Sequence, residues 1–142
     1  MTKLETKFQA DSEDLETRNP KLHKVLLVED DKALRRYLEV TLERAGYEVQ
    51  SASDGLEAMK LALSVSVDLV ITDAMMPNLS GHELCRFLRN SPKLSHIPIV
   101  LLSGLEKKDA SSESVLADAF LAKPVSAEKL TECVAGLLKP RA

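Results

Sequence analysis

Four short apolar runs in this chain each end in a group that can do chemistry. KVLLV runs into Glu29-Asp30-Asp31, LVIT into Asp73, IVLL into Ser103-Gly104 and FLA into Lys123-Pro124. Carboxylates, a hydroxyl and an ammonium are of limited use scattered, but a parallel sheet would bring all four run ends to one edge and into one crevice. Carboxylates brought together repel, and each raises the pKa of its neighbours. A divalent cation with oxygen ligands relieves that repulsion. Mg²⁺ is held by one or two carboxylates together with waters and a phosphate. The set therefore predicts a Mg²⁺ site, with Mn²⁺ as a substitute, that receives a phosphoryl group. Lys123 would bring a second positive charge to that group. Phosphoryl transfer depends mainly on positioning and charge neutralisation, and these residue types supply both.

Such a crevice requires strands that alternate with helices, and the pattern provides them. Residues 24–29 read as a strand buried on both faces, because the run is apolar without alternation. Residues 32–45 carry leucines near helical spacing, and Gly46 stops the helix. Strand, helix and strand follow at 47–51, 54–64 and 68–73, with Asp54 and Glu57 spaced as a capping box. A third helix is expected at 80–90, with Ser80 and Glu83 as its box, and a fourth strand at 97–103 that accommodates Pro98 early. Residues 105–117 suggest one short, weak helix, 119–122 a fifth strand and 126–138 a closing helix. The expected class is α/β: a (βα)5 doubly wound five-stranded parallel sheet of flavodoxin-like order 2-1-3-4-5, with ligands at the carboxyl ends of the strands.

Bulk properties narrow the function further. The 142 residues suit one domain, and 44% hydrophobic with 29% charged residues is ordinary for a soluble globular chain. The net charge of −3, with Lys and Arg dispersed, points away from nucleic acid and anionic membrane. No apolar run is long enough to span a membrane, no secretory signal core is present, and a cytoplasmic location is expected. Cys85 and Cys133 sit in apolar helical patterns and are read as buried, reduced thiols. Residues 1–22 are dense in mixed charge; they are expected to be a flexible extension or a short helix, ahead of a domain at 23–140.

The motifs LLVEDD, VITDAMMPNLSG, VLLSG and FLAKP, in that order and at strand ends, resemble the receiver domain of bacterial two-component response regulators over residues 23–139. The resemblance implies specific roles. Asp73 would be the phosphoacceptor. Asp30 would bind Mg²⁺ directly, Glu29 through water, and Met75 through its backbone carbonyl. Ser103 would move to bond a phosphoryl oxygen, and Lys123 would bind the phosphoryl group. A cis bond before Pro124 would aim Lys123. Phe120 would be the aromatic that turns inward when Ser103 moves, although ordinary packing explains an aromatic equally well. Asp31 reads better as a helix N-cap than as a ligand.

The implied partners are a sensor histidine kinase or histidine phosphotransfer protein upstream and a protein target downstream. The chain would catalyse only its own phosphorylation and dephosphorylation. The target would read a face made of 105–117, strand five and the closing helix, and dimerisation through that face stays open. Direct contact with nucleic acid or membrane is not expected. The chain ends soon after the closing helix and is read as a stand-alone regulator or the receiver part of a longer one.

Three departures from the family pattern matter. The acid pair is Glu29-Asp30 where two aspartates are commonest. The stretch 105–117 is rich in Ser and Ala and lacks a Gly-Ala turn before strand five. Finally, Met75 and Leu105, each two residues past a site residue, offer no hydrogen bond to an attacking water, so slow self-dephosphorylation is expected. Rival functions fit less well. A phosphorylation-independent pseudo-receiver would need a damaged site. A phosphatase using an aspartate nucleophile wants a second acid where Met75 stands. A flavodoxin-like cofactor binder wants a phosphate loop where Glu29-Asp30-Asp31 stands.

Overall fold

A computed structural model describes residues 22–104 and 116–138. The described elements are β1 (Lys24–Val28), α1 (Lys32–Arg44), β2 (Glu48–Ala52), α2 (Gly55–Ser64), β3 (Leu69–Asp73), α3 (Gly81–Asn90), β4 (Ile99–Ser103), β5 (Ala119–Ala122) and α4 (Ala127–Leu137). The strands form one sheet in the order β2-β1-β3-β4-β5, and every adjacent pair is parallel. The expected topology is therefore present.

The apolar runs explain the strand order. β1, β3 and β4 are nearly continuous Val, Leu and Ile, and they occupy the interior of the sheet, buried on both faces. β2 and β5 are half-exposed and form the edges. Alternate residues of the central strands feed two cores. Leu26, Val28, Val70 and Leu101 pack with Ala58 and Ala62 of α2 and Leu84 and Leu88 of α3. Val25, Leu27, Ile71 and Leu102 pack with Leu38 and Leu42 of α1 and Leu130 and Val134 of α4. Each fully buried Val, Leu or Ile side chain among these contributes roughly 1.5–3 kcal/mol of transfer free energy.

All four described helices begin at the carboxyl edge of the sheet, and each carries a polar N-cap there. Asp31, Asp54, Ser80 and Ser126 accept the N–H groups of Leu34, Glu57, Glu83 and Lys129. The Ser80–Glu83 box is complete. The expected Asp54–Glu57 box is only half formed, because Glu57 Oε1 takes the N–H and hydroxyl of Ser53 instead of the N–H of Asp54. Gly46 follows α1 with φ +99°, a conformation that glycine adopts without steric cost.

Some expectations shift. β4 starts at Ile99 rather than 97, so Pro98 precedes the strand, where its missing N–H costs no ladder bond. Cys85 is buried as expected, but Cys133 is only half-buried. Of the helix expected at 105–117, only Leu116 and Ala117 lie within the described residues, and both pack against the first core. Of the extension at 1–22, only Leu22 is described, and it is exposed. No described helix is long and apolar enough to cross a membrane.

Candidate acidic and phosphoryl site

Parallel register puts the chemical groups on one edge. Val28 pairs with Thr72, Asp73 with Leu102 and Ser103 with Ala122. Glu29, Asp30, Asp73, Ser103 and Lys123 therefore all stand at or just beyond the carboxyl ends of β1, β3, β4 and β5. Carboxylate oxygens of Glu29, Asp30 and Asp73 lie within 4.8 Å of one another. Lys123 Nζ donates to Asp73 Oδ2 at 2.9 Å. The Lys123–Pro124 peptide bond is cis, as expected.

Glu29 is fully buried and Asp73 is 6% exposed, whereas Asp30 faces solvent. Each buried carboxylate is oriented by a backbone amide: Asp31 N–H donates to Glu29 Oε2 at 3.1 Å and Met75 N–H to Asp73 Oδ1 at 3.2 Å. Glu29 Oε1 has no hydrogen-bond partner. It lies 3.5 Å from Lys123 Nζ, close enough for charge attraction but not for a well-formed bond. A buried carboxylate oxygen without a donor is costly and marks where a cation would be welcome.

Burial is the main cause that pushes the Glu29 pKa from 4.5 to about 7; the charges of Asp73 and Asp30 add to it, while the Asp31 amide and Lys123 oppose it. For Lys123, burial disfavours the charged form, but the hydrogen bond and charge of Asp73, helped by Glu29, outweigh it and raise the pKa. One ammonium thus serves two buried acids, with a third acid at the rim. The arrangement is short of positive charge. Three carboxylates this close together suit a divalent cation with oxygen ligands.

The remaining candidates are less central. Ser103 is half-buried at the end of β4, and its carbonyl accepts the Lys123 N–H at 2.8 Å. Met75 is 66% exposed and Phe120 52% exposed. Asp31 caps α1 through Leu34 N–H at 3.0 Å, as read from the sequence. Leu105 lies outside the described residues.

The structure also adds residues that the sequence reading passed over. Arg35 Nη1 donates to the Glu29 carbonyl at 2.7 Å and so fixes the chain end that carries the acid pair. Gly81 N–H donates to Ala74 O at 3.0 Å, which folds the loop after Asp73 back onto the strand end. Asn78, at φ 69°, donates from Nδ2 to Asp54 Oδ2 at 3.3 Å and ties that loop to the N-terminus of α2. Asn at positive φ in a loop has a sequence signal, since Asn tolerates this region better than most residues. Arg35 had none, because an Arg-Arg pair on a helix reads as a solvated face.

Comparison with known proteins identifies the family and the fold. The family model of the response regulator receiver domain matches residues 25–135. The transcriptional regulatory protein YrkP of Bacillus subtilis is 43% identical over 110 residues, covering 76% of this chain and 46% of YrkP. The chain spans about half the length of the curated relatives it matches. Among solved structures, the response regulator TrrA of Thermotoga maritima, in complex with Mg²⁺ and BeF, is 34% identical with a TM-score of 0.76, covering 82% of this chain and 99% of TrrA. The chemotaxis response regulator CheY4 of Vibrio cholerae is 32% identical with the same TM-score and coverages. The chain belongs to the response regulator receiver domain family.

Proposed function

We propose that this chain takes a phosphoryl group onto Asp73 from a histidine kinase or histidine phosphotransfer protein, with Mg²⁺ as the required cation. The observation that carries this reading is the position of Asp73. It ends the central strand, its Oδ2 meets the Lys123 ammonium at 2.9 Å, and it shares a pocket with two further acids. A carboxylate oxygen of Asp73 attacks phosphorus, a P–O bond forms as the P–N bond to the donor imidazole breaks, and the imidazole leaves. The product is an acyl phosphate.

Asp30, Asp73 and the Met75 carbonyl are the groups proposed to hold Mg²⁺, with Glu29 acting through water. When bound, the cation neutralises charge that develops on the phosphoryl oxygens. Lys123 neutralises the same charge from the β5 side, and Ser103 donates a hydroxyl to the phosphoryl group. The Mg²⁺ and BeF bound to TrrA support this assignment by relationship. Released from Asp73, Lys123 exchanges a carboxylate partner for a phosphoryl one, which biases the surface around β4 and β5 toward a second arrangement. A protein partner reads that surface. The chain acts on no external substrate beyond its own phosphodonor.

The test is intact mass after incubation with Mg²⁺ and acetyl phosphate. One added phosphoryl group is expected, dependent on Mg²⁺ and absent in Asp73→Asn. No addition from acetyl phosphate or from a phosphohistidine donor would leave a fixed interaction surface that works without phosphate.

A further inference from the structure

β5 is a four-residue edge strand, AFLA, whose burial alternates between half-buried and exposed. All four side chains are apolar, so the pattern alone does not choose a face. A slide of one residue would turn Phe120 inward in place of Ala119 and Leu121. Register is weakly specified in such a strand. Lys123 reaches Asp73 in the observed register, which pairs Ser103 with Ala122. A one-residue slide moves the strand by ~3.3 Å and reverses the side-chain direction. Packing of Ala119 and Leu121 on the second core favours the observed register, and a contact outside the strand reinforces it.

The residue before the strand does this. Asp118 N–H donates to Ile99 O at 2.8 Å, and Ile99 N–H donates back to Asp118 Oδ2 at 2.8 Å. The same oxygen accepts from Arg89 Nη2 at 2.7 Å. Arg89 makes four hydrogen bonds at this corner. Its Nε donates to Leu116 O at 3.0 Å, and its Nη1 donates to Ser95 O at 3.0 Å and Ile97 O at 2.7 Å. One planar guanidinium thus joins the end of α3, the turn before β4 and the entry to β5. A lysine lacks the fork needed to reach these acceptors together.

We propose that Arg89 and Asp118 are positioning residues that lock the register of β5 and thereby hold Lys123 Nζ on Asp73, from roughly 16 Å away along the strand. The functional part of this proposal rests on Asp73 being the phosphoacceptor. The lock acts through Lys123, so its loss has no further effect once Lys123 is gone.

The experiment measures initial phosphorylation rates of the full chain with Mg²⁺ and acetyl phosphate in wild type, Asp118→Ala, Arg89→Lys, Lys123→Ala, and Lys123→Ala combined with each of the other two. Amide hydrogen exchange at Lys123, whose N–H bonds to Ser103 O, is followed in the absence of phosphodonor. Asp118→Ala is expected to be roughly ten- to a hundredfold slower than wild type. It is expected to add nothing to Lys123→Ala, and to speed exchange at the Lys123 amide. Wild-type rates in both single variants, or a defect that multiplies that of Lys123→Ala, would overturn the proposal. Should Asp118→Ala not fold, Arg89→Lys carries the same comparison. If wild type takes no phosphoryl group, the phosphoacceptor reading fails by itself, and the exchange data still judge the lock: unchanged protection at Lys123 overturns it.

Discussion

Gly81 packs directly against the main chain of Asp73. A Cβ at Gly81 would collide with the carbonyl oxygen of Asp73 and stand 2.9 Å from the Ala74 Cα. The φ of Gly81 is not positive, so the demand for glycine here comes from close approach rather than from backbone conformation. The first turn of α3 is therefore seated on the peptide that follows the central acid, and it holds the loop that carries Met75.

Gly81→Ala tests this seating. The methyl group meets backbone, which cannot rotate away, so α3 or the loop must shift. The expected cost is about 1–3 kcal/mol of stability, with slower phosphorylation of Asp73. Urea unfolding and acetyl phosphate kinetics measure both. A variant as stable and as active as wild type would show that the contact relaxes freely.

The pH dependence of stability follows from Glu29. Its folded pKa is raised from 4.5 to about 7, mainly by burial. The folded state then holds the proton more tightly than the unfolded chain does. The stabilisation is complete below about 4.5, declines as pH rises and is gone above about 7. The full difference is worth about 3 kcal/mol without metal. Glu29→Gln should flatten the decline between pH 5 and 7.5 when unfolding is measured in a chelator. Mg²⁺ affinity of wild type should strengthen over the same range, by up to tenfold per pH unit, because the cation competes with the proton. An equal decline in Glu29→Gln would assign the pH dependence to other groups.

The thiols should differ in reactivity. Cys85 is fully buried, and burial pushes its pKa up to about 11. Cys133 is half-buried, with its pKa raised by the same cause. Alkylation of the native protein at pH 8 should label Cys133 first and leave Cys85 largely unmodified, because the thiolate is the reactive form. Peptide mass mapping reads the order, and equal labelling would mean that α3 opens readily.

The sequence was readable where chemistry and periodicity coincide. β1, β3 and β4 are nearly continuous apolar runs, and each delivers a polar group at its carboxyl end, so fold and site could be inferred together. Asp31 and Ser80 were legible as caps because a cap acts on a residue three positions away. Gly81, Arg35 and the Arg89–Asp118 corner were not, because their partners lie five or more positions off and depend on how the elements meet. Gly81, Arg35 and Arg89 fall within expected helices, where a residue type alone carries no signal of a distant partner. Cys133 faced the core in the helical pattern, yet it packs on the second core only as a partly buried side chain.

On the proposed phosphorylation of Asp73, Met75 bears on how long the phosphorylated state lasts. Its side chain is 66% exposed, two residues past Asp73, and its own N–H is used by Asp73 Oδ1. A thioether gives an incoming water only a weak acceptor, so water that attacks the acyl phosphate is neither held nor oriented from this side. Met75→Asn places an amide there with both donor and acceptor capacity. One added hydrogen bond in the transition state is worth roughly 1–1.5 kcal/mol, so the phosphorylated variant should lose its phosphoryl group roughly tenfold faster than wild type. The decay is followed by intact mass after the phosphodonor is removed. Faster decay in wild type than in Met75→Asn would mean that the exposed methionine does not limit the access of water, and that the lifetime is set elsewhere in the site.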